Sequence, residues 1–162
     1  MKTNYSFEPD AYRFAGLDQA KLVVIASKWH GEAVESMLNA CLDCLKKVGV
    51  EESQLAVYRV PGALEIPVVA KKILAKGEVD ALLVFGAVVR GDTRHFEMVV
   101  DAVNDNLNSL AVEFVTPIIQ QVLAVDNLAQ LVARTGNDDG NKGIEAAIAA
   151  LEMIKLFKTE LH

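Results

Sequence analysis

Hydrophobic residues fall into two kinds of segment along the chain, short dense runs and longer stretches with helical spacing. The dense runs are rich in β-branched residues and show little alternation, which is typical of strands buried on both faces. The predicted strands lie at 21–27, 55–60, 80–89 and 117–125. In the stretches between them, apolar residues recur every three to four positions, which predicts helices. The predicted helices lie at 31–48, 64–75, 94–114, 126–134 and 141–157.

This alternation predicts an α/β fold in which one parallel sheet of four strands lies between two layers of helices. Right-handed crossover connections place helices on both faces of such a sheet, which gives a three-layer α/β/α sandwich. The 162 residues suffice for one domain of this kind, and residues 18–162 contain all of the predicted elements. Residues 1–17 are polar and weakly patterned, so we expect an N-terminal arm outside the core.

Composition and charge exclude several classes of protein. Apolar residues make up 52% of the chain and charged residues 23%, which is typical of a globular protein rather than a disordered one. The formal net charge of −6 argues against a nucleic-acid partner, because binding to a phosphate backbone requires clustered Lys and Arg. The longest uninterrupted apolar stretch, Ala81–Val89, is shorter than the roughly 20 residues of a membrane span. No signal-peptide pattern opens the sequence, so we expect a cytoplasmic protein without a membrane partner.

Cys41 and Cys44 form a Cys-x-x-Cys pair within a predicted helix. Such a pair serves as a redox centre when it follows a strand, or as half of a zinc site when a second Cys or His pair completes the ligands. The sequence offers neither context, so we expect Cys41 to pack as a small apolar residue with Cys44 beside it. We therefore expect no metal site, and two reduced cysteines fit the cytoplasm.

Candidate chemistry is expected at the carboxyl ends of the predicted strands, where open parallel sheets bind their ligands. Trp29 follows the first strand and offers a flat apolar face for stacking a ring, although a Trp there can also plug the sheet or an interface. The segment RGDTRH (90–95) ends the third strand and begins a helix, whose free N–H groups and positive dipole end favour an anion such as phosphate. A plain helix cap, with Asp92 or Thr93 as the N-cap residue, is the alternative.

Four further side chains could carry chemistry. His95 begins the helix beside the anion site and can move protons near neutral pH, whereas an isolated His at a helix start is usually solvated. Glu65 lies in the first turn of the second helix, where a carboxylate stabilises the helix dipole or accepts a hydrogen bond from a hydroxyl. Arg134 and Lys142 flank a Gly-rich loop, and cations in such loops are ordinarily solvated.

Four segments together resemble the lumazine synthase family, which catalyses the penultimate step of riboflavin biosynthesis. The segments are VPGALEIP (60–67), GAVVRGDTRHFE (86–97), the stretch 117–134 and GNKGIEAAIAALEM (140–153). Their order and spacing match the family, and the resemblance runs from about residue 21 to residue 153. It implies a flavodoxin-like α/β sandwich and a transferase that needs no cofactor.

The resemblance also implies the reaction and the roles of particular residues. The implied reaction condenses 5-amino-6-(D-ribitylamino)uracil with 3,4-dihydroxy-2-butanone 4-phosphate to 6,7-dimethyl-8-ribityllumazine, releasing phosphate and water. His95 is implied as the general acid/base and Trp29 as the ring that stacks on the pyrimidine. The implied substrate-binding residues are Ala63, Leu64 and Glu65 at the ribityl chain, Ala87, Val88 and Val89 at the uracil, Lys142 near the pyrimidine, and Asp92, Thr93 and Arg134 at the phosphate, with Arg134 given by a neighbouring subunit.

Three positions depart from the family pattern. Gln120 stands where a Phe commonly reaches the substrate across a subunit interface, and Lys28 and His30 replace a common Arg and Asn. Loss of the Phe removes apolar contact, so we expect weaker substrate binding rather than a different reaction. These departures motivate an alternative, a low-turnover homologue that binds a ribityl-pyrimidine or a flavin and forms a shell. Such a protein has no need of a retained proton shuttle and phosphate site.

The partners implied by the resemblance are small-molecule substrates and further copies of the same chain. Members of the family form pentamers, and in some of them twelve pentamers close into a hollow icosahedral shell. Residues 135–140 carry no insertion relative to the pattern of shell formers, so a shell is permitted. A closed symmetric assembly would also bury part of the 52% apolar content outside a single small core.

Overall fold

Four strands form a parallel sheet through the middle of the fold. The computed structural model describes residues 6–162. The strands are β1 (Leu22–Ser27), β2 (Leu55–Val60), β3 (Ala81–Val89) and β4 (Ile118–Val125). Their order is β2-β1-β3-β4, and all three neighbouring pairs are parallel. The four-stranded parallel sheet predicted from the sequence is confirmed, and each strand begins within one residue of its predicted start.

Helices cover both faces of the sheet, as the alternating pattern predicts. They are α1 (Gly31–Lys47), α2 (Ile66–Leu74), α3 (His95–Phe114), α4 (Leu128–Thr135) and α5 (Lys142–Thr159). Side chains of α1, α4 and α5 pack on one face of the sheet, and side chains of α2 and α3 pack on the other. The three-layer α/β/α sandwich is therefore confirmed.

The core divides into two clusters on either side of β3, the longest strand. Ala81, Leu83 and Phe85 point into the cluster under α1 and α5, whereas Leu82 and Val84 point into the cluster under α2 and α3. All five side chains are fully buried, which explains the unbroken apolar run in the sequence. Strand β2 lies at an edge, and its middle residues are exposed.

The N-terminal segment lies closer to the core than the sequence pattern predicts. The predicted arm spans residues 1–17, of which residues 1–5 lie outside the described part of the chain. Leu17 belongs to the core with 5% of its surface exposed, and Phe7, Tyr12 and Phe14 pack against the α1/α5 side. For residues 7–17 the expectation of an arm outside the core is wrong, because spaced aromatic residues anchor an otherwise polar segment.

A buried polar network fixes the connection between α4 and α5. Asn141 is the N-cap residue of α5, and its side-chain Oδ1 accepts a hydrogen bond from the Gly143 amide at 2.8 Å. The Asn141 Nδ2 donates to the carbonyl of Gly136 at 2.9 Å and to the Ser36 hydroxyl at 3.2 Å. The Ser36 hydroxyl in turn donates to the carbonyl of Thr135. Both ends of the loop at 136–140 are thus tied to α1.

One helix begins later than predicted, and another ends at a strained residue. The pattern predicts that α4 begins at residue 126, but the helix begins at Leu128, and its N-cap residue Asn127 accepts the Gln130 amide at 2.9 Å. Helix α3 ends at Phe114, and its C-cap residue Val115 is β-branched but adopts the left-handed conformation with φ of 50°. This conformation costs a residue with a branched Cβ about 1–2 kcal/mol, so Val115 is a strained end of the helix.

Candidate functional site

The carboxyl ends of all four strands meet at one rim of the sheet. Ser27 is paired with Val60 at the ends of β1 and β2, and Val89 is paired with Val125 at the ends of β3 and β4. Because the strands are parallel, the loops that follow them lie side by side at this rim. The structure therefore brings together the segments that begin at residues 28, 61, 90 and 126.

Trp29 forms one corner of the rim. The amides of Lys28 and Trp29 donate to the carbonyl of Pro61 at 3.1 and 3.0 Å, which joins the first two loops. The indole ring packs on Gly62, where there is no side chain to obstruct it. Trp29 nevertheless remains 65% exposed, so it does not plug the end of the sheet within this chain. Its ring is available as an apolar surface for a planar ligand.

A hydrogen bond at the start of the following helix holds the turn after β2. The Gly62 amide donates to the Glu65 carboxylate at 2.9 Å, and a short 3-10 turn at Ala63–Glu65 leads into α2. This hydrogen bond gives Glu65 a structural role at the start of the turn, and its predicted roles towards the helix dipole and towards a hydroxyl stay predictions. Ala63 is buried, and Leu64 is half exposed at the same rim.

Strand β3 extends beyond its partner β1 and leaves a free backbone edge. Its pairing with β1 ends at Phe85, whereas its pairing with β4 continues to Val89. The edge of Ala87–Val89 that faces the Trp29 loop is therefore unpaired within the sheet. Backbone N–H and C=O groups need hydrogen-bond partners, and an amide-rich ring such as uracil supplies both kinds. This geometry suits the uracil-reading role predicted for Ala87, Val88 and Val89.

The loop after β3 presents the start of α3 to solvent. Asp92, Thr93 and His95 are all exposed. Neither Asp92 nor Thr93 is the N-cap residue that the sequence predicts, because Arg94 holds that position and provides no side-chain cap. The Thr93 hydroxyl instead accepts the His95 amide at 3.3 Å. An exposed helix start with an uncapped first turn is a favourable place for an anion.

Arg90 lies at the centre of a cluster that the sequence analysis missed. Its Nε donates to the Asp126 carboxylate at 2.9 Å, and its Nη1 contacts the Glu97 carboxylate. Its guanidinium carbon lies 4.3 Å from the centre of the Phe96 ring. Hydrogen bonds to Asp126 and Glu97 raise the pKa of Arg90, and those from Arg90 lower the pKa of both carboxyl groups. One signal could have predicted the contact between residues 90 and 126, because each directly follows the last paired residue of its strand, β3 or β4.

Gln120 does not join the rim of its own chain, and the contacts of Arg134 and Lys142 are with their own helices. Gln120 pairs with Val84, five positions before Val89, which places it about 16 Å down the sheet from the rim. Arg134 donates to the carbonyl of Gln130 at 2.9 Å within its own helix. Lys142 lies in the first turn of α5, where its Nζ contacts the Glu145 carboxylate at 2.7 Å.

A groove of about 760 Å³ leads away from the rim between α1 and α4. It begins at His30 and Gly31 and ends at Asn137. Leu128 and Val132 line it, and both side chains are mostly exposed. An open apolar groove of this kind is typical of a surface that meets another protein.

The two cysteines take no part in the site. Both are free and buried in the core, as predicted, and burial raises the pKa of the Cys41 thiol. Within residues 6–162, no group of three or more His, Cys, Asp and Glu side chains is arranged to hold a metal ion. No helix in the same range is both long and apolar enough to cross a membrane.

Comparison with known protein families gives a match over most of the chain. The family model described as 6,7-dimethyl-8-ribityllumazine synthase matches residues 19–158 of the 162 residues. The matched region contains the sheet, helices α1 to α4, all but the last residue of α5 and every loop of the rim.

Proposed function

Because the chain belongs to the 6,7-dimethyl-8-ribityllumazine synthase family, a family of transferases in riboflavin biosynthesis, we propose that it forms 6,7-dimethyl-8-ribityllumazine. The proposed substrates are 5-amino-6-(D-ribitylamino)uracil and 3,4-dihydroxy-2-butanone 4-phosphate. The primary amine attacks the ketone and water leaves as the imine forms. Phosphate is then eliminated, and closure of the second ring releases another water. The steps need positioning and proton transfer, which side chains supply without a cofactor.

One observation carries the proposal: the exposed start of α3 lies at the same rim as an unpaired backbone edge and an exposed indole. The Thr93 hydroxyl and the first amides of α3 suit the phosphate, and the backbone of Ala87–Val89 suits the uracil edge. Trp29 stacks on the pyrimidine, and the 63–65 turn binds the ribityl chain. His95 lies next to the phosphate turn, where it can pass protons to the leaving group and the imine.

We further propose that the working unit is a homo-oligomer in which one copy completes the site of the next. The position of Gln120 about 16 Å below its own rim supports this arrangement, because its side chain cannot span that distance. Arg134 and Lys142 are held by contacts within their own helices. The exposed apolar groove between α1 and α4 provides contact area for a neighbouring copy. A ring such as a pentamer satisfies this head-to-tail requirement, and a cytoplasmic location completes the proposal.

A steady-state assay with both substrates tests the proposed reaction. Lumazine absorbance and phosphate release are followed together at neutral pH without added metal. We expect equal amounts of the two products, and we expect His95→Ala to slow turnover by about 10²–10⁴-fold with assembly intact. Tight binding of a ribityl-pyrimidine without turnover would contradict the proposal and favour the alternative, a shell-forming homologue that binds the ligand with little turnover.

A further inference from the structure

We propose that Arg90 is a positioning residue, which locks the first turn of α3 to the end of β4 and so fixes His95 for the condensation. The inference rests on the proposed function, since it assigns a role within that same site. It concerns a side chain that contacts neither substrate in the proposed arrangement.

Four contacts converge on Arg90 from two separate segments. Its backbone amide donates to the carbonyl of Val125 at 2.9 Å, which continues the pairing of β3 with β4 by one residue. Its Nε donates to Asp126 at 2.9 Å, directly after β4. Its Nη1 contacts Glu97, and its guanidinium lies 4.3 Å from the centre of the Phe96 ring. Arg90 therefore bridges the end of β4 and the first turn of α3.

The residues held by Arg90 are the immediate neighbours of His95. Phe96 and Glu97 follow His95 in the first turn of α3, and the His95 amide is bound by the Thr93 hydroxyl. The start of the helix has no side-chain cap of its own, because Arg94 at the N-cap position provides none. The contacts of Arg90 hold this turn ahead of Val99, the first residue of α3 that is buried in the core. Loss of those contacts leaves His95 on a helix end that is free to fray.

The shape of the guanidinium group matters as much as its charge. Arginine can donate to two carboxylates in fixed directions and stack on an aromatic ring at the same time. A lysine ammonium is a compact charge on a flexible stem, so it can reach one carboxylate without reproducing the stacked geometry. We therefore expect lysine to restore only part of the function of Arg90.

The charge balance separates positioning from direct binding of phosphate. Asp126 and Glu97 each carry a negative charge at neutral pH, and their pKa values are lowered by Arg90. The three side chains together carry a net negative charge, which does not attract a phosphate. Replacement of Arg90 by an uncharged residue makes this cluster more negative, whereas R90M/E97Q keeps the wild-type net charge of −1 and so separates loss of positioning from repulsion of phosphate.

The kinetic test compares Arg90→Met, Arg90→Lys and a matched control. The control is Arg59→Met. Like Arg90, Arg59 donates two hydrogen bonds to carboxylate oxygens, in this case both to Glu35. Unlike Arg90, it lies on β2, at the opposite edge of the sheet. We expect R90M to lower kcat by about 10²-fold, since small displacements of a catalytic group cost that much. KM for the pyrimidine substrate should stay within about threefold, and R90K, which keeps the positive charge, should recover part of kcat. R59M should leave kcat within about twofold, as expected for a surface ion pair.

A second measurement does not depend on turnover. The ring signals of His95 can be followed by NMR, with His95→Ala assigning them, and R90M should shift and broaden them while R59M does not. If the wild type makes no lumazine, the proposed function fails, and the NMR signals still test the positioning of His95.

A double variant R90M/E97Q should be no slower than R90M, because Glu97 acts through Arg90.

Several results would overturn the proposal. A KM for the phosphate substrate that is raised in R90M and stays equally raised in R90M/E97Q would make Arg90 a phosphate ligand instead. A kcat loss no greater than that of R59M, or unchanged His95 signals in a folded R90M, would show that the first turn of α3 holds its own position. If R90M is unfolded by circular dichroism, E97Q and D126N replace it, and normal kcat in both would refute the role.

Discussion

The indole ring of Trp29 lies against the α-carbon of Gly62, so closely that a β-carbon on Gly62 would come within 2.4 Å of the ring atom Cε3. The contact joins the loop after β1 to the loop after β2. The ring can occupy this position only because Gly62 has no side chain. This is a steric reason for a glycine at this place in the motif VPGALEIP.

We predict that Gly62→Ala displaces the indole of Trp29 and weakens binding of a pyrimidine ligand. The loss should be about 2- to 10-fold, as expected for one aromatic stacking contact. Trp29 is the single tryptophan of the chain, so its fluorescence and its quenching by acrylamide report the displacement directly. The control is Gly91→Ala, where a β-carbon meets nothing within 4 Å. An unchanged emission spectrum in Gly62→Ala would contradict the prediction.

Mixed assemblies test whether His95 and Arg134 act from different chains. We predict that His95→Ala and Arg134→Ala are each strongly impaired alone. When the two are refolded together, random mixing in a head-to-tail ring should restore about one quarter of wild-type turnover, because some sites then join two intact faces. Arg134→Ala alone should raise KM for the phosphate substrate more than for the pyrimidine. No recovery in the mixture would mean that both residues serve one chain.

Gly143 allows α5 to pack closely against α1, because it has no side chain. A β-carbon there would come within 1.9 Å of the Met37 carbonyl oxygen, so Gly143→Ala must push the two helices apart. We predict a loss of at least about 3 kcal/mol in the free energy of unfolding, measured by urea denaturation. Gly31→Ala, where a β-carbon has open space, should change the same quantity by no more than about 1 kcal/mol. Equal effects of the two substitutions would argue against the close packing.

Val115 offers a stabilising substitution at the end of α3. Its φ of 50° is strained for a β-branched residue, and 72% of its surface is exposed. We predict that Val115→Gly raises the free energy of unfolding by about 1 kcal/mol, because glycine adopts this conformation without strain. Val112→Gly, three residues earlier in regular helix, should lower it by about 0.5 kcal/mol. Thermal melting of both variants distinguishes these opposite signs.

The cluster around Arg90 predicts a dependence of stability on pH. Arg90 lowers the pKa of Glu97 and of Asp126 in the folded protein, so both carboxylates stabilise the fold above their ordinary pKa range. That contribution is lost as the pH falls through the lowered values and the carboxylates are protonated. The difference in melting temperature between wild type and R90M should therefore be present at pH 7 and shrink towards pH 3. A difference that is constant across this range would show that the charges do not carry it.

The fold and the location of the site could be predicted from the sequence because each rests on local signals. Dense β-branched runs separated by helical spacing determine a parallel sheet, and a parallel sheet places its loops at one rim. The segments at residues 28, 61, 90 and 126 follow from those two facts alone. The buried role of Cys41 followed equally well from its place on the apolar face of α1.

The features that sequence reasoning missed depend on contacts between distant segments. Whether Arg90 meets phosphate or carboxylates depends on which residues the end of β4 brings next to it, and Asp126 is 36 positions away. The packing of Phe7 and Phe14 on the core also could not be predicted, because a polar segment with a few aromatic residues gives no periodic signal. The N-cap residue of α3 was not predicted correctly, because Thr93 lies before the N-cap position although its hydroxyl accepts the His95 amide.

The two anchored ends of the loop between α4 and α5 leave its middle free to vary in length. Asn141 ties Gly136 and Gly143 to α1, and Asn137 between them is exposed. Extra residues inserted at Asn137 would leave the hydrogen bonds of Asn141 in place but would enter the end of the groove between α1 and α4. The length of this loop can therefore change how copies meet without changing the fold of a single copy.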